Sequence, residues 1–164
     1  MALPTYSAGC VRVAFMGIPL DGLAPDSFIT VSRNTETTDT EVGADGQVSI
    51  SKSPDLTGTC SIVLQQQSIA NKILAGILSQ QDASCEIIAG DISVYDPSGS
   101  MLAVMKNCHI QGTPEIDLGI TATGKTRTWV FFVEKLIYAA SPSGSGLTGG
   151  NLSYVTGQLG GIGF

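Results

Sequence analysis

The chain has 164 residues, a net charge of −6, only 13% charged against 43% hydrophobic residues, and a mean hydropathy of +0.25. The acidic balance excludes a nucleic-acid reader, which needs a basic stripe, and the longest apolar runs, such as 129–133, fall far short of the ~20 residues a bilayer requires. Soluble monomers usually carry about 25% charged residues, so the surplus apolar surface is expected to be covered by further copies of the chain.

The length suits one domain with a core of its own. The opening Met-Ala-Leu-Pro-Thr-Tyr lacks a basic and an apolar leader region, which argues against a signal peptide and for synthesis in a cytoplasm. Period-two patterning then dominates. Val11, Val13 and Phe15 alternate with Arg12 and Ala14, Ile29 and Val31 with Thr30 and Ser32, and Val48 and Ile50 with Ser49 and Ser51. Cys60, Ile62 and Leu64 alternate with Thr59 and Ser61, Val63 fitting less clearly. Each run predicts a strand with one face in a core. The outward faces are Ser, Thr and Gln rather than Lys and Glu.

Turn chemistry separates these runs at Leu20-Asp21-Gly22, Ala44-Asp45-Gly46, 54–58 and 96–99, the Asp-Gly pairs supplying the positive φ of tight hairpins. Between Ser68 and Gln80 the period changes. Ile69, Ile73, Leu74, Ile77 and Leu78 form a helical stripe with Ser68 placed to cap it. Strands resume at 86–91, 92–96, 101–109 and 126–138, and the run 129–133, apolar on both sides, reads as a central, doubly covered strand. The chain thus divides into a β domain, 1–138, and a Gly/Ser-rich segment, 139–164, with scattered Leu152, Tyr154, Val155, Leu159, Ile162 and Phe164. That segment cannot form a core; it is either a disordered tail or an arm whose apolar residues dock on a neighbour.

No catalytic constellation emerges. Gly119-Ile-Thr-Ala-Thr-Gly124-Lys125-Thr126 satisfies the phosphate-loop pattern, but a true phosphate loop opens a helix. Here a β-branched and aromatic run follows, so a Gly-rich hairpin loop is expected. Gly144-Ser-Gly-Leu-Thr-Gly149 matches a dinucleotide pattern with neither helix nor acidic residue after it. The single histidine, His109, adjoins Cys108 in a strand, so the two side chains point to opposite faces. The four cysteines show no metal-ligand spacing and read as free thiols, Cys60 and Cys108 as small buried hydrophobes. Neither an enzyme nor a cofactor is expected.

The order of weaker motifs is informative. Phe28-Ile-Thr-Val-Ser-Arg-Asn34 precedes Val42-Gly-Ala-Asp-Gly46 and Lys52-Ser53; Thr57-Gly-Thr59 opens the next strand; Gln65-Gln-Gln-Ser68 and Asn71 lead the helix; Pro114-Glu-Ile-Asp-Leu-Gly119 runs through a basic hairpin to Arg127-Thr-Trp129. From about residue 10 to 138 this series resembles the tail tube proteins of contractile-tailed bacteriophages. The resemblance implies a mainly β fold, a sandwich or barrel-type structure with one flanking helix at about 68–80. It also implies a structural protein of the virion that assembles as stacked, hexameric rings. The implied partners are further copies of itself, the tail sheath protein outside, a tape-measure protein in the lumen, and baseplate and tail terminator proteins at the ends. DNA would pass through the channel without specific binding.

The same resemblance assigns residues 34–45 to a long loop reaching the next ring or a neighbour. Its carboxylates Glu36, Asp39, Glu41 and Asp45 become candidates for a ring contact or for negative charge in the lumen; the plain alternative is a solvated loop. Glu115 and Asp117, with Lys125 and Arg127, are candidates for contacts across the hairpin or between subunits. Two rivals remain: the tube of a capsid-less contractile particle, which shares the fold, and a monomeric β-barrel enclosing a small molecule.

Overall fold

The computed structural model describes residues 5–97, 101–121 and 123–140. After one 3-10 turn at Ala8–Cys10, the described elements are β1 (Arg12–Phe15), β2 (Ile18–Pro19), β3 (Ile29–Arg33), β4 (Thr38–Val42), β5 (Val48–Lys52), β6 (Gly58–Gln65), α1 (Ile69–Ser84), β7 (Ala89–Tyr95), β8 (Met101–Gly112) and β9 (Thr126–Ala140). Seven strands pair antiparallel in the order β2-β1-β7-β8-β9-β6-β3, while β4 and β5 form a separate hairpin. The expected strands at 86–91 and 92–96 are one strand, β7. β9 continues to Ala140, two residues into the proposed arm, whose remainder, 141–164, lies outside the described residues.

Alternation decides which side of each strand is dry. In β6, Gly58, Cys60, Ile62 and Leu64 are buried while Thr59, Ser61 and Val63 stay partly exposed. In a flat sheet, β1 and β9 would lie three ladder steps, about 14 Å, apart. The rings of Phe15 on β1 and Phe131 on β9 instead have centroids 5.1 Å apart. The sheet is therefore curled upon itself, and the chain after β2 closes it. The Leu20 amide donates to the Val13 carbonyl of β1 at 2.8 Å, the Ala24 amide donates to the Val63 carbonyl of β6 at 3.0 Å, and the Gly22 carbonyl accepts from the Gln65 amide at 2.8 Å. A short strap thus ties one margin of the sheet to the other. Gly22 adopts φ +75°, and a Cβ there would sit 2.7 Å from Cβ of Ser68.

The interior is filled by Phe15, Ile62, Leu64, Met105, Phe131, Val133 and Leu136, with Leu74 contributed by the helix. The Ser68 hydroxyl caps α1 by accepting from the Ala70 amide at 3.1 Å and donates to the Asp21 carbonyl. Asn71 accepts from the Trp129 indole N–H at 3.0 Å and donates to the Gln65 carbonyl at 2.9 Å, fixing the helix to β6 and β9. The helical stripe is narrower than predicted. Ala70 and Leu74 are buried, Ile77 and Leu78 pack against the core, and Ile69, one step around the helix, is exposed.

Two expectations about strand faces need correction. β9 is central, yet its outer face is not covered: Val130 and Phe132 remain partly exposed, Phe132 lying against His109 with centroids 5.3 Å apart. Val48 and Ile50 do lie in a strand, but among the described residues no core meets them. A bulge also breaks the pattern between β7 and β8, where the register shifts between Gly90 and Ile92. There Asn107, at φ +55°, donates its amide to Asp91 at 3.0 Å, and Lys106 pairs with the same carboxylate at 3.4 Å.

Gly58 marks a close approach of β6 to its neighbours, because an added Cβ would lie 2.7 Å from Cδ2 of Leu136 and 2.8 Å from the Ser32 carbonyl oxygen. Gly58→Ala should cost about 1–3 kcal/mol by overpacking. Gly76 in α1 has open space around it, so Gly76→Ala should instead stabilise by about 0.5–1 kcal/mol through helix propensity. Thermal and urea unfolding of the two variants, run side by side, checks the opposite signs.

Candidate assembly interface

Among the described residues, nothing forms a second layer on the hairpin β4–β5. Its register pairs Val42 with Val48 and Thr40 with Ile50, so Val42, Val48 and Ile50 share one face while Asp39, Glu41, Ser49 and Ser51 share the other. Every residue of both strands is exposed, with Val42 at 64%, Val48 at 58% and Ile50 at 70%. An isolated two-stranded hairpin is marginal in water, and this one presents a greasy face as well. Its turn is closed by the Gly43 amide donating to Gln47 at 2.8 Å and by Asp45 accepting from the Gln47 amide at 3.2 Å.

Residues 34–45 are therefore not wholly a loop. Thr38–Val42 is a strand, whose single apolar residue hid its alternation. Of the four acidic candidates, Asp39 and Glu41 lie together on the polar face of the hairpin, Asp45 sits in the turn, and Glu36 lies in the run-in. The root of the hairpin is the better-built part. Arg33 donates to the Leu136 carbonyl at 3.0 Å and stacks over the Tyr138 ring at 5.9 Å. Asn34 donates to the Thr57 hydroxyl at 3.2 Å and accepts from the Thr59 hydroxyl at 2.7 Å. Asp55 accepts from the Thr57 amide at 2.9 Å and from the Thr35 hydroxyl.

The second group of candidates is brought together, within one chain. Between β8 and β9, Lys125 pairs with Asp117, and Arg127 donates to the Glu115 carbonyl at 3.3 Å. These contacts hold an irregular segment whose other side chains, Ile116, Leu118 and Ile120, point away from the chain at 71%, 71% and full exposure. The apolar sets 42/48/50 and 116/118/120 were missed as surface features. The alternation of Ile116, Leu118 and Ile120 was a visible signal, but alternation does not say what covers a face.

The phosphate-loop pattern falls in this same segment and enters strand β9, with Lys125 engaged by Asp117. Beside it lies an open cleft of about 430 Å³ lined by Asp26, Gln65, Gln66, Gln67 and Lys125 among others. Cys60 and Cys108 are buried, and burial pushes their thiols up to about 12 and about 11; Cys10 and Cys85 are exposed. Among the described residues no group of three or more His, Cys, Asp and Glu is placed to hold a metal ion, and no helix is long and apolar enough to cross a membrane.

The described residues thus form a curled antiparallel sheet flanked by one helix, with apolar faces that no described residue covers. The model of the bacteriophage PhiTE tail tube protein family matches residues 9–138. The chain belongs to this family of tail tube proteins. No curated protein matches it in sequence. Among solved structures, the tube-terminating cap of the anti-feeding prophage aligns with a TM-score of 0.54 at 9% identity, covering 86% of this chain and 93% of that one. Two structures of a PVC extracellular contractile injection system align at 0.49. The sheath–tube complex in the extended state is 12% identical over 85% of this chain and 93% of that one, and the sheath/tube terminator is 11% identical over 85% and 98%. At 9% identity the cap shares the fold.

Hydrogen bonds from Thr35 and Thr57 hold the Asp55 carboxyl below its ordinary value of 3.8, burial opposing them weakly. A depressed carboxylate contributes its stabilisation above the unfolded value and loses it as the pH falls through the folded one. The hairpin root should stay ordered down to pH 3.8 and loosen only below it. Carboxyl NMR shifts of Asp55, read with the Thr35 and Thr57 amides, test this; a midpoint at or above 3.8 contradicts the assignment.

Proposed function

We propose that this tail tube protein self-assembles as stacked, hexameric rings into the inner tube of a contractile tail, and that the tube is the channel for DNA ejection. The observation that carries the reading is a family match over most of the barrel coinciding with apolar faces that no part of the described chain covers. Edges support it too. β3 has one neighbour, β6, and a free strand edge is a template for pairing with another chain. Copies joined edge to edge would merge their sheets around a common axis.

A channel for DNA should not grip phosphate. The outward positions of β3, β6 and early β9 include Thr30, Ser32, Thr59, Ser61, Thr126 and Thr128, a hydroxyl surface without a cation. That face suits a lumen, and Glu36, Asp39, Glu41 and Asp45 add negative charge at the hairpin. Sheath outside, tape-measure protein within, and baseplate and terminator at the ends complete the reading. Residues 141–164 would act as an arm laid on a neighbouring copy. A small-molecule barrel is disfavoured because Phe15, Met105, Phe131 and Leu136 fill the interior.

Purified protein at high concentration should sediment as rings or tubes and appear so in negative-stain micrographs. A lone particle of 16.9 kDa that never polymerises overturns the proposal.

A further inference from the structure

Where β6 ends, the open cleft of about 430 Å³ lies between the chain that follows the strap and the segment leading into β9. Residues on its walls carry acceptors that the described chain leaves unused. Gln66 Oε1 is closed off from solvent and has no hydrogen-bond partner among the described residues. Gln65 donates its side-chain amide to the Leu23 carbonyl at 3.2 Å, so its own side-chain oxygen is left to accept. Asp26 is exposed, with neither a hydrogen bond nor an ion pair among the described residues. The cation in the lining, Lys125, is held by Asp117, and its backbone carbonyl accepts from the Gln66 amide at 3.1 Å. The side-chain oxygens of Asp26, Gln65 and Gln66 therefore share a cleft that supplies no free cation to them.

We propose that this cleft binds a primary alkylammonium group. An ammonium carries three N–H donors and no acceptor, which matches the oxygens of Asp26, Gln65 and Gln66, and a charge-assisted bond to Asp26 anchors it. Ala24, Pro25 and Val63 line the same cleft and give the attached methylene groups an apolar wall. Gln66 as a whole is half-buried, so a turn of its terminal amide, a broad and soft torsion, brings the oxygen to the ligand. Leaving that acceptor unpaired costs free energy, which a donor returns.

Other ligands fit less well. Calcium takes about six to eight oxygens, and among the described residues no group of three or more His, Cys, Asp and Glu stands together to hold a metal ion. The phosphate-loop pattern borders this cleft, but its lysine is held by Asp117 and the unpaired carboxylate of Asp26 repels an anion. The site uses no surface of a second copy, so it stands apart from the assembly reading.

Equilibrium dialysis of the full chain against radiolabelled putrescine tests the site. Saturable binding at one amine per chain is expected, half-filled at about 1 mM or below. Asp26→Asn should weaken it roughly tenfold, the share of one charge-assisted bond. Asp82→Asn removes the same charge about 20 Å away along α1 and should leave binding unchanged. Gln66→Met deletes the unpaired oxygen. It should bind roughly fivefold more weakly yet melt no lower than the parent, a combination that a merely structural glutamine does not give. N-acetyl-lysine amide separates the sources of the amine. Displacement at the same concentration as unlabelled putrescine assigns the site to a lysine side chain of a partner; displacement only at roughly tenfold more, or none, assigns it to a free polyamine. Binding that never saturates, or that falls equally in Asp26→Asn and Asp82→Asn, is screening of a chain of charge −6 and overturns the proposal. Saturable retention of inorganic phosphate in place of putrescine overturns it in favour of an anion site.

Discussion

A filled interior is the constraint from which the remaining structure follows. Phe15 and Phe131 meet across the curled sheet, Met105, Leu136, Ile62 and Leu74 occupy what space is left, and the strap from Leu20 to Ala24 ties the margins together. Interiors packed at this density accept little extra volume without strain. Val42, Val48, Ile50, Ile116, Leu118 and Ile120 therefore cannot be taken in by local rearrangement. Their apolar area stays in water until another surface removes it, and the low charge of the chain gives them little solvating company.

Alternation made the barrel strands legible. The dry face of β6 was readable as Cys60, Ile62 and Leu64, and the change of period at Ser68 marked the helix with its cap. Those features are local, because side-chain direction in a strand or helix follows from backbone geometry alone. The destination of each face is not local. Val48 and Ile50 carry the same pattern as Ile62 and Leu64, yet one pair meets solvent and the other the core. Only the pairing of β6 with β9 and β3, against the isolation of β4 and β5, separates them. The acidic strand β4 was read as a loop because Thr-Asp-Thr-Glu offers no apolar period, and β7 was split in two because Asp91, which clasps the bulge, interrupts its pattern.

Charge placement is consistent with this division of labour. The core-forming strands hold their few ionic groups at bulges and edges, as with Asp91 and Lys106, where the pair remains solvated and contributes little to stability. Four carboxylates, Glu36, Asp39, Glu41 and Asp45, lie on or beside the hairpin instead. Carboxylates on one side of a two-stranded ribbon keep that side wet, and so fix which side is free to be covered. The polar face of β4–β5 thus orients its apolar face, an effect that operates before any partner is met.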